Sequence, residues 1–227
     1  MRLGGLQKCS LIDYPGTVSA IVFTIGCNFR CPYCHNPELV DETACEIAAS
    51  DFFAFLDSRK GKLDAVTVTG GEPTLHKDLL EFLREIKRRG FLVKLDSNGT
   101  NTVMLRRAID EKLVDYIAMD IKAPLHKYEG TVARPVDIEA IKRSIDLLKE
   151  GHVAYEFRTT VIKTFLTLDD FHSIGAAING ARAYYLQKFV PTKLLNPAFL
   201  NKTTYTDDEF LEIRSVMNTY VETCSIR

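Results

Sequence analysis

The sequence predicts an α/β fold built on a parallel six-stranded sheet, and three observations carry that reading. Strand-like and helix-like segments alternate along the 227 residues. Each strand with its following helix takes about 30 residues, the length of a βαβ step with a helical crossover. Every unusual polar or Gly/Pro-rich stretch follows, or lies toward the end of, a strand-like segment, where ligands bind in parallel α/β sheets. Six such units fall short of the eight in a complete (β/α)8 barrel, which leaves an open partial barrel or a doubly wound sheet.

The strand candidates are Val18–Phe23, Ala65–Thr69, Leu92–Leu95, Tyr116–Met119, Ala154–Val161 and Ala183–Gln187. They are short and rich in β-branched or aromatic residues. A helix near Ser50 carries Phe52, Phe53, Phe55 and Leu56. Leu79, Leu80, Leu83 and Ile86 form an apolar stripe, as do Ile138, Ile141, Ile145 and Leu148, and then Phe171, Ile174 and Ile178. Thr206 with Glu209 reads as a capping box for a last helix bearing Phe210, Ile213, Met217 and Tyr220. Thr102–Glu111 carries a weaker helical signal, in a position where a helix is required.

No repeat, low-complexity tract or flexible linker divides the chain, so residues 1–227 are read as a single domain. Hydrophobic residues make up 46% and charged residues 26%, the mixture of a globular protein. A formal net charge of −1 gives no bulk electrostatic reason to expect nucleic-acid or membrane-surface binding. The longest apolar run, Val18 to Ile25, is too short to cross a bilayer, and Met1 to Tyr14 lacks the apolar core of a signal peptide. A cytoplasmic location is the expectation.

Of six cysteines, Cys9, Cys45 and Cys224 are scattered, whereas Cys27, Cys31 and Cys34 crowd into one loop after the first strand. A disulfide framework suits small secreted chains better than one of this size. The spacing C-x3-C-x2-C lets three thiolates face one centre if the loop wraps around it. Three ligands suit a cubane with one iron left open, while a structural zinc requires a fourth. His35 would be that fourth ligand, but it adjoins Cys34, and neighbouring residues rarely chelate one ion comfortably.

Gly70-Gly71-Glu72-Pro73 follows the second strand, Asp96-Ser97-Asn98-Gly99 the third and Asp120-Ile121-Lys122 the fourth; Arg158 lies toward the end of the fifth. Paired glycines let backbone approach a ligand closely, and backbone carbonyls with Glu72 would offer acceptors to an ammonium. Each stretch also has a plainer reading: a βα turn, an Asn-Gly turn, a solvated lysine, a surface ion pair.

The cysteine spacing, with Tyr33 before the last cysteine and the GGEP stretch following, resembles the signature of the radical S-adenosylmethionine superfamily. That resemblance implies a partial (β/α)6 TIM-like barrel. It also implies a [4Fe-4S] cluster on Cys27, Cys31 and Cys34 whose open iron binds S-adenosylmethionine and cleaves it to methionine and a 5′-deoxyadenosyl radical. By the same resemblance Tyr33, Gly70, Gly71, Glu72, Ser97, Asn98, Lys122 and Arg158 would contact S-adenosylmethionine. Asp96, Ser97 and Asp120 would surround a monovalent cation, with Lys122 as an alternative source of positive charge.

Gly5-Leu6-Gln7, Ser10-Leu11-Ile12-Asp13-Tyr14-Pro15-Gly16 and Cys34-His35-Asn36-Pro37-Glu38-Leu39 further resemble the activating proteins of anaerobic ribonucleoside-triphosphate reductase. The implied reaction takes a hydrogen atom from a glycine of that partner, with Asp13 and Tyr14 bordering the incoming loop and a flavodoxin or ferredoxin as electron donor. Pyruvate formate-lyase activases carry Asp-Gly-Pro-Gly where this chain has Asp13-Tyr14-Pro15-Gly16. The alternatives are a pyruvate formate-lyase type of partner, a small-molecule substrate, or a zinc- or iron–sulfur-binding module without enzymatic activity.

Overall fold

The computed structural model describes all 227 residues and places the six predicted strands side by side in sequence order. Two strands are added at the edges, giving one open eight-stranded sheet: β1 (Leu3–Tyr14), β2 (Thr17–Thr24), β3 (Ala65–Gly70), β4 (Leu92–Ser97), β5 (Tyr116–Asp120), β6 (Ala154–Val161), β7 (Ala183–Lys188) and β8 (Thr223–Ile226). From β2 to β8 every neighbouring pair is parallel. β1 alone is antiparallel, folded back on β2 through Pro15-Gly16. Gly16 has φ +67° there, which suits glycine at the third position of a tight turn.

Helices α1 (Pro37–Val40), α2 (Ala49–Ser58), α3 (Leu79–Arg88), α4 (Thr102–Asp110), α5 (Tyr128–Val132), α6 (Ile138–Lys149), α7 (Leu168–Ala177) and α8 (Asp207–Met217) supply the connections. Their apolar stripes make the core against one face of the sheet. Leu79, Leu80, Phe82, Leu83 and Ile86 of α3 are buried, as are Ile141, Ile145 and Leu148 of α6, whereas Ile138 lies at its margin. The predicted capping box of α8 is present: the Glu209 N–H donates to the Thr206 hydroxyl, and the Thr206 N–H to the Glu209 carboxylate. Tyr220 lies beyond that helix, its hydroxyl against His172.

Side chains alternate across a strand. In β4, Val93 and Leu95 join the core under the helices, so Lys94, Asp96 and their neighbours in register line the other, concave face. Asp96, Ser97 and Asp120 are the last residues of β4 and β5 rather than loop residues beyond them. No helix is long and apolar enough to cross a membrane.

Candidate active site

The strand ends bring the predicted residues to one cleft. Cys27, Cys31, Tyr33 and Cys34 line it from the loop after β2, and Gly70, Gly71 and Glu72 from the end of β3 and its loop. Asp96, Ser97, Asn98, Asp120, Lys122 and Arg158 complete it from β4, β5 and β6.

The cysteine loop is held from several sides. The Arg30 N–H donates to the Val132 carbonyl, and the Leu195 and Asn196 N–H groups donate to the carbonyls of Cys34 and Pro32, each at 2.9 Å. Phe29 packs on Tyr128, and the Phe29 N–H points at the Cys27 sulfur at 3.4 Å. Burial pushes the Cys27 thiol up to about 12 and the Cys31 thiol up to about 11. No three His, Cys, Asp or Glu side chains converge on a point suited to one metal ion. Three thiols lining one cleft match the donor set of a cubane that takes one thiolate on each of three irons. His35 meets the Thr192 hydroxyl and the Phe189 ring. The Tyr33 ring packs against Phe165, and its hydroxyl is buried without a protein partner.

The glycine pair has a nearer reason than a ligand. A Cβ on Gly71 would lie 1.9 Å from the Gly26 carbonyl oxygen, so only glycine lets the β3 loop press on the start of the cysteine loop. The Gly71 N–H donates to the Thr24 carbonyl and the Glu72 N–H to that of Gly26, each at 2.8 Å. Glu72, expected to meet an ammonium, lines the cleft and also ties these loops together. It accepts from the Thr74 N–H at 3.1 Å, the Thr74 hydroxyl at 2.6 Å, the Ser97 hydroxyl at 2.9 Å and the Asn98 N–H at 2.6 Å. Burial still holds its carboxyl above the ordinary value, against those hydrogen bonds. Asn98 in turn donates to the side chain of Asn28, inside the cysteine loop.

Charge on the concave face is balanced by protein groups. Arg158 bridges Asp120, through Nε, and Asp96, through Nη2 at 3.0 Å; Lys122 adds a second cation to Asp120 at 2.8 Å and Lys94 a second to Asp96. Burial would raise both carboxyls, but Arg158 and the two lysines outweigh it and hold them below the usual carboxylate range. The Arg158 guanidinium thus supplies positive charge between Asp96 and Asp120, at the place where the sequence leads one to expect a monovalent cation. Sequence reasoning missed Lys94 and Glu156, although period-two alternation back from Asp96 and Arg158 places both on this face.

Tyr14 and Asp13 do not join the cleft. Because β1 runs antiparallel, Tyr14 pairs with Thr17 at the start of β2, whereas the cysteine loop follows that strand's end. Tyr14 is buried against Tyr116, while Asp13 lines a second cavity.

Comparison with known proteins agrees with this geometry. The family model of the Radical SAM superfamily matches residues 21–174, more than half of the chain. A Methanocaldococcus jannaschii protein provisionally named a glycyl-radical enzyme activating enzyme is 34% identical over 99% of this chain and 95% of its own length. The pyruvate formate-lyase-activating enzyme of Staphylococcus aureus is 35% identical over 53% of each chain. Among solved structures, Streptococcus suis SuiB bound to S-adenosylmethionine aligns with 91% of this chain and 49% of its own, with TM-score 0.68 and 12% identity. A domain of a Bacteroides vulgatus pyruvate-formate lyase-activating enzyme aligns with 72% of this chain and 99% of its own, with TM-score 0.57 and 16% identity.

Proposed function

Because the chain belongs to the radical SAM superfamily, we propose that it is a glycyl-radical-enzyme activase whose partner is anaerobic ribonucleoside-triphosphate reductase. The observation that carries the reading is the convergence of the three cysteines, the Gly70–Glu72 turn and the Asp96–Arg158–Asp120 bridge on one cleft. Cys27, Cys31 and Cys34 would hold a [4Fe-4S] cluster, which when bound and reduced by a flavodoxin or ferredoxin would supply the electron for cleavage of S-adenosylmethionine to methionine and a 5′-deoxyadenosyl radical able to take hydrogen from a glycine.

The chain's own residues have simpler tasks. Backbone at Gly70 and Gly71 offers acceptors to the ammonium of S-adenosylmethionine, and Lys122 and Arg158 offer donors to its carboxylate. The Tyr33 ring walls the cleft. Glu72 fixes the spacing between the cysteine loop and the end of β4, because its N–H donates to the Gly26 carbonyl and its carboxylate accepts from Ser97 and Asn98. The open sheet leaves a way in for a polypeptide.

The test is anaerobic: reconstituted protein with S-adenosylmethionine, dithionite and the reductase from the same genome should give a glycyl radical signal by electron spin resonance. Cys31→Ala should abolish both that signal and 5′-deoxyadenosine formation. The match to a pyruvate formate-lyase activase makes pyruvate formate-lyase the second partner to assay. Consumption of a small molecule with no glycyl signal on either protein would overturn the activase reading.

A further inference from the structure

A second cavity, of about 460 Å3, lies beside the cofactor cleft and is lined by Ile12, Asp13, Lys94, Arg158, Gln187 and Arg227. Its volume falls within the roughly 300–1,000 Å3 of ligand pockets. Ile12 and Asp13 belong to β1, and Arg227 directly follows β8. These strands are the two edges of the sheet and do not pair with one another, so the cavity occupies the gap that keeps the barrel open. Arg158 lines both spaces and joins them.

The chemistry of this cavity is an excess of donors on balanced charge. Lys94 is 2% exposed, and its ammonium has one protein partner, Asp96. An ammonium carries three donors, so two remain for the cavity. Arg227 gives both terminal nitrogens to buried Glu156, at 2.8 and 3.0 Å, and keeps its Nε–H. The charges of Lys94, Lys122, Arg158 and Arg227 are matched by Asp96, Asp120 and Glu156, which pair with them, and by Asp13 in the cavity wall. A space with neutralised cations and unspent donors favours neutral acceptors over an anion, and backbone carbonyls of an extended polypeptide are such acceptors. Ile12, which lines the cavity and is 83% exposed on β1, adds apolar contact at the edge of the gap.

We propose that Lys94 is a positioning residue for the partner's glycine-bearing segment: its free donors, with Gln187 and Arg227, hold backbone carbonyls of that segment in the gap between β1 and β8, where Arg158 meets the cofactor cleft. This deepens the activase reading and rests on it.

The experiment measures glycyl radical formation by the reconstituted holoenzyme while the anaerobic reductase and S-adenosylmethionine are varied separately. Lys94→Met should raise the half-saturating reductase concentration about tenfold, the effect of losing buried hydrogen bonds to a charged group. The rise should exceed any rise in the half-saturating S-adenosylmethionine concentration, and Lys94→Arg should recover most of the loss. Gln187 makes no side-chain hydrogen bond within the protein, so Gln187→Leu keeps the test open if Lys94→Met fails to fold. It should weaken reductase saturation by a smaller factor. Equal shifts for both substrates, or reductase saturation unchanged in both variants, would overturn the proposal while leaving the activase reading intact. Failure of the wild-type holoenzyme to form a glycyl radical on any such partner would overturn both.

Discussion

Glu72 is 1% exposed and accepts four hydrogen bonds, three on one carboxylate oxygen and one on the other. A glutamine of the same shape must turn an amide N–H2 toward donors on one side or the other. Glu72→Gln should therefore lower the unfolding free energy by about 1–3 kcal/mol, the cost of leaving a buried donor unsatisfied. Urea denaturation of the two proteins checks this, and equal midpoints would show that the clamp carries no weight. The GGEP stretch was legible in the sequence as a site motif, but the partners of its glutamate were not, because Ser97 and Asn98 come into reach only when β4 is laid beside β3. Lys94 gave no signal of its own. A strand lysine reads as solvated until register with Asp96 fixes which face points inward.

Elements whose apolar period was complete were legible with their burial. α3 buries the stripe read from it and α6 all of its stripe but Ile138, and the box at Thr206 and Glu209 was found by residue type and spacing alone. The two edge strands escaped for different reasons. β1 includes Gly4-Gly5 and the exposed run Gln7-Lys8-Cys9, and its pairing is interrupted by irregularities, so no period-two pattern survives. β8 has four residues, too few for any pattern. At the N-terminus of α8, Thr206→Ala removes one acceptor from an exposed cap and should cost about 1 kcal/mol. It should lower the urea midpoint while S-adenosylmethionine cleavage per folded molecule stays at the wild-type rate, since α8 packs behind β7 and β8, away from the cleft. A change in cleavage rate at unchanged stability would contradict that separation of cap from chemistry.

Across the whole molecule, charged groups inside the barrel make its stability depend on pH in a definite direction. Asp96 is buried and Asp120 half-buried; burial would raise both, yet Arg158, Lys94 and Lys122 hold their carboxyls below the unfolded value of about 3.9. A depressed folded pKa gives stability that is fully present above the unfolded pKa and is lost as pH falls through the folded one. These two groups therefore leave stability level between neutral pH and about pH 5, and withdraw it below about pH 4. Arg158 is the cation common to both, so Arg158→Gln leaves burial opposed only by the lysines. Both carboxyls then rise, and the protein should begin to lose stability at a higher pH than wild type. Far-ultraviolet circular dichroism of cluster-free protein during acid titration reads this as an upward shift of the unfolding midpoint. An unshifted midpoint would mean that the two lysines suffice and that Arg158 is held in the barrel for its ligand rather than for the fold.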